Sequence, residues 1–272
     1  CWVMLRVGDE LITLIDPDSP ASEAYRTLRT NILMRNFDRD MKVINIISTT
    51  AQEGKSTCVL NLAMVYAQLQ KKVLVIDLDL RMPTIHKKLK LKNKKGISDI
   101  IGRQAEFEEV VLQPYENVDV ITAGTKIPFA SEFIQSNALK EFIEERKKEY
   151  DLILLDCPPV GLVTDGIVAA SYCDGTILVC ASNRNDRKEL LRVKDQLEQT
   201  QVNVIGIVMT MMPVQKKYYN SYGYRYSDTQ KKTTQKKKKN SILSNITKKS
   251  DKKKWLIFIV IWFQEWMMEV KA

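Results

Sequence analysis

The chain has 272 residues, 44% of them apolar, which is enough for one sizeable α/β core with tails, and its single histidine, His86, provides poorly for zinc chemistry or a histidine-activated nucleophile. The net charge of +9 is uneven: residues 216–254 hold thirteen lysines and one arginine against two aspartates, whereas residues 1–215 carry 27 basic and 29 acidic groups. Five cysteines without a CxxC pair indicate reduced cytoplasmic thiols and argue against a disulfide framework.

Residues 16–31 contain the first informative pattern, a helix predicted to begin near Ser22. Glu23, Arg26 and Arg29 recur at every third position and therefore lie along one face of this helix. A charged stripe of this kind is typical of a solvated face. It is also compatible with a charged contact between subunits.

The next segments predict a βαβ unit. Residues 42–48 form an apolar β-like run, residues 55–69 a helical run and residues 72–77 a second β-like run. Strand, helix and strand within about 35 residues indicate a right-handed crossover and a parallel sheet. The helical pattern is amphipathic, with a predicted buried side formed by Leu60, Ala63, Met64 and Ala67.

The junction between the first strand and this helix, residues 48–57, is a candidate phosphate-binding loop. A helix N-terminus offers unpaired N–H groups and a partial positive charge to an anion. In the pattern GxxxxGK[ST] the lysine reaches the β- and γ-phosphates and the hydroxyl binds Mg²⁺; here these are Lys55 and Ser56, although Thr49 replaces the first glycine. The alternative is an ordinary loop with a helix cap. The predicted nucleotide contacts are Gln52, Glu53, Gly54, Lys55, Ser56 and Thr57.

Further β-like and helical runs alternate along the chain. The predicted strands are residues 118–122, 152–156, 176–181 and 204–210, and the predicted helices include 137–148 and 187–199. This alternation predicts an α/β fold with a doubly wound, mostly parallel sheet and helices on both faces. Ligands in such folds bind at the carboxyl ends of the strands.

Three aspartates fall at predicted strand ends. Asp77 and Asp79 follow one apolar run, and Asp156 ends another. An apolar run that ends in aspartate is a usual way to present a carboxylate to Mg²⁺ beside a phosphate loop. We therefore expect the loop and these aspartates to form a site for ATP and Mg²⁺. The alternative for any one aspartate is a helix cap or a turn.

Residues 16 to about 226 resemble the cytoplasmic domain of bacterial tyrosine kinases, which have a P-loop NTPase fold with deviant Walker motifs. The matching parts are the ExxRxxR motif at 23–29, the loop through Ser56, a second Walker motif at 77–81, a Walker B motif at 156–159 and the segment 163–165. The resemblance implies an ATP-dependent protein tyrosine kinase that autophosphorylates in trans and regulates capsule or exopolysaccharide synthesis and export.

The resemblance also implies a role for each matching residue in the site. Lys55 and the loop amides would hold the β- and γ-phosphates, while Ser56, Asp79 and Asp156 would hold Mg²⁺. Asp77 is expected to accept or orient the tyrosine proton. The roles of Asp77 and Asp79 are open to exchange.

The resemblance also bears on the charged stripe of the first helix and on two positions, 52 and 210, that differ from the family pattern. Glu23, Arg26 and Arg29 fit the family's oligomerisation motif, so a homo-oligomeric ring is expected. Gln52 stands where the family usually has glycine, and Thr210 where related ATPases often carry an adenine-reading asparagine. Loop geometry and adenine recognition are therefore the points at which this chain departs from the pattern.

A tyrosine cluster occupies residues 216–228. Tyrosines beside lysines can stack on nucleic-acid bases, or they can belong to a disordered tail without a site. The resemblance implies instead that they are phosphoacceptors offered to a neighbouring subunit, and no nucleic-acid partner is expected. Each phosphate would add nearly two negative charges, and several of them would cancel much of the local positive charge and loosen a subunit contact. The five tyrosines are Tyr218, Tyr219, Tyr222, Tyr224 and Tyr226.

Two further segments are strongly basic. Residues 87–95 carry six lysines and are interpreted as a solvated loop, with anionic lipid headgroups or an acidic partner as the alternatives. Residues 229–254 are almost devoid of apolar groups and are predicted to be disordered.

The apolar chain end, residues 255–272, differs from the tail before it. Its run of nine apolar residues is too short for a transmembrane helix, which needs about 20, although an interfacial anchor is compatible with it. With permissible synonymous codons, a one-base shift of frame turns residues 255–271 into a sequence that resembles the start of a metal-dependent tyrosine phosphatase. We interpret this end as translated overlap with the gene of a phosphatase that opposes the kinase.

The predicted organisation is an N-terminal extension (1–15), one kinase domain (16–215), the tyrosine cluster, the lysine-rich tail and the apolar end. The expected partners are further copies of the chain, the phosphatase and a membrane-anchored activator, a polysaccharide co-polymerase subunit. The expected location is the cytoplasm, at the inner face of the plasma membrane. Two other functions stay open: a partitioning- or septum-positioning-type ATPase switch without kinase activity, and a non-catalytic basic scaffold for nucleic acid or membrane.

Overall fold

The computed structural model describes residues 11–36, 40–182, 187–213 and 255–259. The predicted tyrosine cluster and lysine-rich tail lie outside the described residues. Within these residues the strands are β1 Val43–Ser48, β2 Val73–Asp77, β3 Leu112–Tyr115, β4 Val118–Ile121, β5 Leu152–Asp156, β6 Gly175–Ala181, β7 Val204–Pro213 and β8 Trp255–Ile259. The helices are α1 Ile12–Ile15, α2 Pro20–Arg35, α3 Lys55–Ala67, α4 Ile85–Lys88, α5 Ile97–Ile101, α6 Phe107–Val110, α7 Ala130–Gln135, α8 Asn137–Arg146, α9 Asp165–Ala170 and α10 Arg187–Gln199.

The strands form one sheet in the order β3-β4-β2-β5-β1-β6-β7-β8. Six of these strands run parallel to one another, and β3 and β8 pair antiparallel at the two edges. The parallel strands place their carboxyl ends at one edge of the sheet, so the loops that follow β1, β2 and β5 lie side by side there.

Helices cover both faces of the sheet. Alternate side chains of β1 enter different cores: Ile44 and Ile46 pack with α1 to α4, whereas Val43 and Ile47 pack with α5 to α10. Each of the central strands is buried on both faces, which explains why these runs are continuously apolar. The predicted doubly wound, mostly parallel α/β fold is therefore confirmed.

Helix α3 differs from its predicted amphipathic character. It is buried on nearly all sides, and Ala67 is the member of the predicted inner set that is partly exposed. Helices α1 and α2 cover its outer side, and Thr13 of α1 donates from its amide and hydroxyl to Asn61 Oδ1 at 3.1 and 3.0 Å. The segment 11–15, assigned to an N-terminal extension from the sequence, thus packs on the central helix.

The apolar chain end contributes one edge strand. Residues 255–259 form β8, which pairs antiparallel with β7, with Trp255 opposite Pro213 and Ile259 opposite Val208. The interpretation of residues 255–272 as translated gene overlap stays a prediction, which the nucleotide sequence tests directly. Among the described residues, no helix has both the length and the apolar character needed to cross a membrane.

Asp174 links the central strands at their amino edge and gives a first prediction. Its Oδ2 accepts hydrogen bonds from the amides of Lys42 and Val43 at 2.8 and 2.7 Å. Asp174→Ala would leave two amides at the start of β1 unpaired, so we expect the free energy of unfolding to fall by about 1–3 kcal/mol in urea titrations. The exposed Asp18 provides the control: Asp18→Ala should change stability little, and an equal loss in both variants would contradict the assignment.

Candidate nucleotide-binding site

The loop between β1 and α3, the candidate phosphate-binding loop, contains two residues with a left-handed backbone conformation. Gly54, directly before α3, has φ +87°, and Gln52 has φ +63°, both in the left-handed region. A residue other than glycine adopts this conformation at some cost, so the glycine that the pattern expects at Gln52 has a conformational reason. The neighbouring loop approaches closely, because a Cβ added to Gly161 would lie 2.5 Å from the Thr49 carbonyl oxygen.

The side chain of Glu53 braces this loop from inside. Its buried carboxylate accepts hydrogen bonds from Thr49 Oγ1 at 2.7 and 2.6 Å, from the Thr50 amide at 2.8 Å and from the Ala181 amide at 3.2 Å. Thr210 Oγ1 donates to the Glu53 carbonyl oxygen at 2.5 Å. Glu53 and Thr210 therefore stabilise the loop through their side chains. Because the Glu53 carboxylate is already hydrogen-bonded, only the backbone of Glu53 is available for the predicted nucleotide contact.

Lys55 is the central charge of the site. It is 7% exposed, its Nζ donates to Asp156 Oδ1, and Asp79 Oδ2 lies 3.8 Å away. Burial alone would lower the pKa of Lys55, but Asp156 and Asp79 outweigh this effect and raise the pKa above its ordinary value. A buried ammonium at the N-terminus of α3 is therefore kept charged by carboxylates from two strand ends.

Asp77 lies directly beside Asp156, because the two are register partners on the adjacent parallel strands β2 and β5. Burial, and after it the charge of Asp156, raises the pKa of Asp77 to about 8. Its carboxylate accepts hydrogen bonds from the amides of Asp79, Thr84 and Ile85 at 3.1–3.2 Å. Burial also raises the pKa of Asp79.

The oxygen atoms around Asp156 are suitable ligands for a hard cation that is bound together with phosphate. The Asp156 Oδ2 atom is buried and meets no hydrogen-bond donor in the part of the chain that the structure describes. Ser56 Oγ, from the first turn of α3, accepts a hydrogen bond from Thr84 Oγ1 at 2.7 Å. Within the same residues no three His, Cys, Asp or Glu side chains are grouped to hold a metal alone. Mg²⁺ is commonly held by one or two carboxylates and phosphate oxygens, so the residues present fit that ion.

A second cluster borders the site, where the loop after β2 meets the first turns of α7 and α9. Arg81 Nε donates to Asp165 Oδ2 at 2.9 Å, Arg81 Nη2 donates to Ser131 Oγ at 2.9 Å, and Ser131 Oγ donates to Asp165 Oδ1 at 2.7 Å. Asp165 was visible in the sequence through its motif. Ser131 and Thr84 carried no such signal, because neither lies in a motif or at a strand end.

The remaining predicted residues lie at the edges of this region. Thr57 Oγ1 accepts a hydrogen bond from Lys88 Nζ at 3.0 Å. On α2, Arg26 pairs with Glu23 at 2.9 Å, whereas Arg29 Nη1 donates to the Val65 carbonyl oxygen of α3 at 2.6 Å. All three members of the charged stripe thus make contacts within their own chain, and a subunit contact through the stripe stays a prediction.

Comparisons with known proteins agree with this geometry. A family model described as AAA domain matches residues 41–204. The tyrosine-protein kinase YwqD of Bacillus subtilis (strain 168) is 36% identical over 220 residues, covering 80% of this chain and 92% of that protein. The putative tyrosine-protein kinase CapB of Staphylococcus aureus is 35% identical over 210 residues, covering 76% and 92%.

Solved structures show the same likeness. The chimerical protein CapA2B2 aligns with a TM-score of 0.71 and 32% identity, covering 75% of this chain and 92% of that one. The kinase domain of the Escherichia coli tyrosine kinase ETK aligns with a TM-score of 0.70 and 30% identity, covering 73% and 78%. The septum site-determining protein MinD of Pyrococcus horikoshii, complexed with Mg-ADP, aligns with a TM-score of 0.52 and 26% identity, covering 61% and 68%. These comparisons support nucleotide binding by this chain.

The raised pKa of Asp77 predicts a pH dependence of stability. Between about pH 4 and pH 8 the folded protein holds a proton on Asp77 that the unfolded chain releases, so the free energy of unfolding falls as pH rises through this window, by at most about 1.4 kcal/mol per pH unit. Asp77→Asn should flatten the decline between pH 5 and pH 8 in urea titrations without nucleotide. The control is Asp151→Asn, because the pKa of Asp151 is lowered and its contribution changes only below that window. Equal slopes in wild type and Asp77→Asn would contradict the assignment.

Proposed function

This chain belongs to the family of bacterial tyrosine kinases, and we propose that it transfers the γ-phosphoryl group of ATP to the tyrosine cluster of a neighbouring copy, thereby regulating capsule or exopolysaccharide synthesis and export. It is a protein tyrosine kinase by its relationship to YwqD and CapB. The observation that carries the proposed mechanism is the buried Lys55 ammonium held by strand-end carboxylates at the start of α3.

Phosphoryl transfer requires positioning and charge neutralisation more than covalent chemistry. The amides of residues 52–57 and the Lys55 ammonium would hold the β- and γ-phosphates, with Lys55 exchanging a carboxylate oxygen for phosphate oxygens. Ser56, Asp79 and Asp156 would hold Mg²⁺, and the buried, unpartnered Asp156 Oδ2 supports this proposal. When bound, that ion neutralises charge on the phosphate oxygens.

Asp77 is proposed to accept or orient the proton of the acceptor tyrosine. Its position supports this proposal, because Asp77 ends β2 directly beside Asp156 of β5, at the edge of the sheet where the phosphates are proposed to bind. Asp79 lies two residues away and is the less buried of the two, so the assignment of the two carboxylates remains open to exchange. Asp165 and Ser131 hold the Arg81 guanidinium beside this pair.

The proposed assembly is a ring of copies joined through Glu23, Arg26 and Arg29 of α2. A membrane-anchored activator, a polysaccharide co-polymerase subunit, would recruit the kinase to the inner face of the plasma membrane. The tyrosine segment 216–228 would supply the acceptors, and a metal-dependent phosphatase would reverse the modification. Kinase activity is favoured over a septum-positioning switch, because MinD is the more distant relative and the tyrosine cluster suits an acceptor segment.

Replacement of Lys55 tests the kinase mechanism. Lys55→Met should reduce the rate of autophosphorylation with Mg-ATP by about 100-fold or more, because the phosphates lose the buried ammonium at the start of α3. Intact mass and phosphotyrosine mapping measure the product. Lys71→Met, at an exposed position on the amino edge, should leave the rate unchanged. If Lys55→Met fails to fold, Lys55→Arg is measured in its place, because it retains a buried cation. Undiminished tyrosine labelling in a folded Lys55 variant would refute the mechanism.

Replacement of the tyrosine cluster tests the acceptor and the direction of transfer. A chain with Tyr218, Tyr219, Tyr222, Tyr224 and Tyr226 changed to Phe should bind ATP normally and lose its own label. Mixed with the Lys55→Met chain, which keeps its acceptors, it should label that chain, because the transfer is proposed to occur between subunits. Tyr115→Phe is the control and should not change labelling. Absence of label on the Lys55→Met partner would contradict transfer in trans.

A further inference from the structure

The basic loop, residues 87–95, is more ordered than a solvated charge run requires. It contains six lysines and no arginine. Along residues 89–94 exposure alternates: the odd-numbered residues are partly buried, and the even-numbered ones are exposed lysines. Leu89 and Leu91 pack against the core on the α3 side of the sheet. The exposed set is Lys90, Lys92 and Lys94.

Hydrogen bonds hold the backbone of the basic loop against the loop that follows β4. The Gly124 amide donates to Asn93 Oδ1 at 2.8 Å, and Asn93 Nδ2 donates to the Gly124 carbonyl oxygen at 3.2 Å. Within the loop, the Leu91 amide donates to the His86 carbonyl oxygen at 2.8 Å. The exposed lysines are therefore presented from a backbone that the rest of the domain positions.

Most of the charge on the basic loop is not neutralised locally. Lys95 pairs with Glu109 at 2.8 Å, and Lys88 binds Thr57. Within the described part of the chain, no ion pair to a carboxylate is formed by Lys87, Lys90, Lys92 or Lys94. An arrangement of uncompensated cations on a fixed backbone favours an anionic partner outside the domain.

Two large apolar side chains are exposed in neighbouring segments. Met82 is 68% exposed and Phe129 is 67% exposed. The hydrogen bond from Arg81 to Ser131 joins the segments that carry them, and the contacts between Asn93 and Gly124 join the basic loop to the loop that leads to Phe129. Cationic and apolar groups therefore belong to adjoining segments at the carboxyl edge of the sheet.

We propose that the basic loop, with Met82 and Phe129, contacts the anionic headgroups of a membrane directly. A lipid interface accepts both components, because lysines bind its surface charge while exposed apolar side chains enter the headgroup region. This contact goes beyond the proposed function and does not depend on kinase activity. It would turn the carboxyl edge, and with it the nucleotide site, toward the bilayer.

The chemistry of the basic loop favours a lipid surface over a phosphorylated peptide or nucleic acid. Recognition of individual phosphates favours arginine, whose planar fork binds two oxygens at once, whereas lysine acts as a compact point charge. The basic loop has lysine alone. Its charge suits a diffuse anionic surface better than a defined phosphate.

Vesicle binding by the full chain tests the proposal. Lys90, Lys92 and Lys94 are changed together to Gln, and the control changes Lys71, Lys72 and Lys148, all exposed near the amino edge, to Gln. Both variants have the same net charge and retain the basic tail, so they differ only in the part of the surface from which the three lysines were removed. On phosphatidylcholine vesicles with about 30% phosphatidylglycerol, we expect the basic-loop variant to bind about tenfold or more weakly than the control variant, and neither to bind pure phosphatidylcholine strongly.

Hydrogen exchange with the same vesicles gives a second readout that the tail does not dominate. The amides of residues 87–95 and 125–129 should become protected, and those of residues 70–72 and 147–150 should not. Equal vesicle binding by the two triple variants, or no protection at 87–95, would overturn the proposal. So would unchanged vesicle binding together with loss of affinity for a phosphotyrosine peptide or an oligonucleotide, because the surface would then serve that partner. Unchanged ATP binding in both variants confirms that the fold is intact.

Discussion

The ammonium group of Lys55 is the charge on which the carboxyl edge of the sheet depends. It lies at the start of α3, contacts the carboxylates of Asp156 and Asp79, and is almost fully shielded from water. Without it, two carboxylates at the ends of adjoining segments would face each other in a low-dielectric environment, at a cost of several kcal/mol. One cation thus joins the phosphate loop to the ends of β2 and β5.

Proton binding completes the charge balance around Lys55. A single ammonium cannot neutralise three carboxylates, and burial together with the charge of Asp156 raises the pKa of Asp77, which favours a proton on this carboxyl while the site holds no ligand. Its amide partners fix the loop from Asp79 to Ile85, which also positions Thr84 against Ser56. The carboxylates that determine the structure at the carboxyl edge of the sheet are therefore the same ones that are proposed to act in phosphoryl transfer.

The strands and their terminal aspartates could be predicted because each gives a local signal. The run from Leu152 to Asp156 is continuously apolar and ends in a charge, and its bounds in the structure are those of the pattern. The short helices could not be found in this way, since four to six residues complete no useful period. Ser131 joins Asp165 across 34 positions of sequence, and Thr210 reaches Glu53 across 157, so both roles exist only after the fold forms. The near-complete burial of α3 could not be predicted for a similar reason. Both α1 and α2 cover α3 only in the folded chain, and the four-residue α1 is too short to give a periodic pattern.

The hydrogen bonds of Glu53 give a physical reason why a loop with few glycines could serve as the proposed phosphate loop. Glycine supplies conformational freedom, and a loop rich in it must lose that freedom when a ligand binds. Here the Glu53 carboxylate joins Thr49 to Ala181 of β6, and Thr210 of β7 holds its carbonyl group. Contacts of this kind preorganise a loop, so less conformational entropy is lost when a ligand binds and more of the interaction energy appears as affinity. A rigid loop would also be selective, because it would bind a polyphosphate of matching shape and adapt poorly to other ligands.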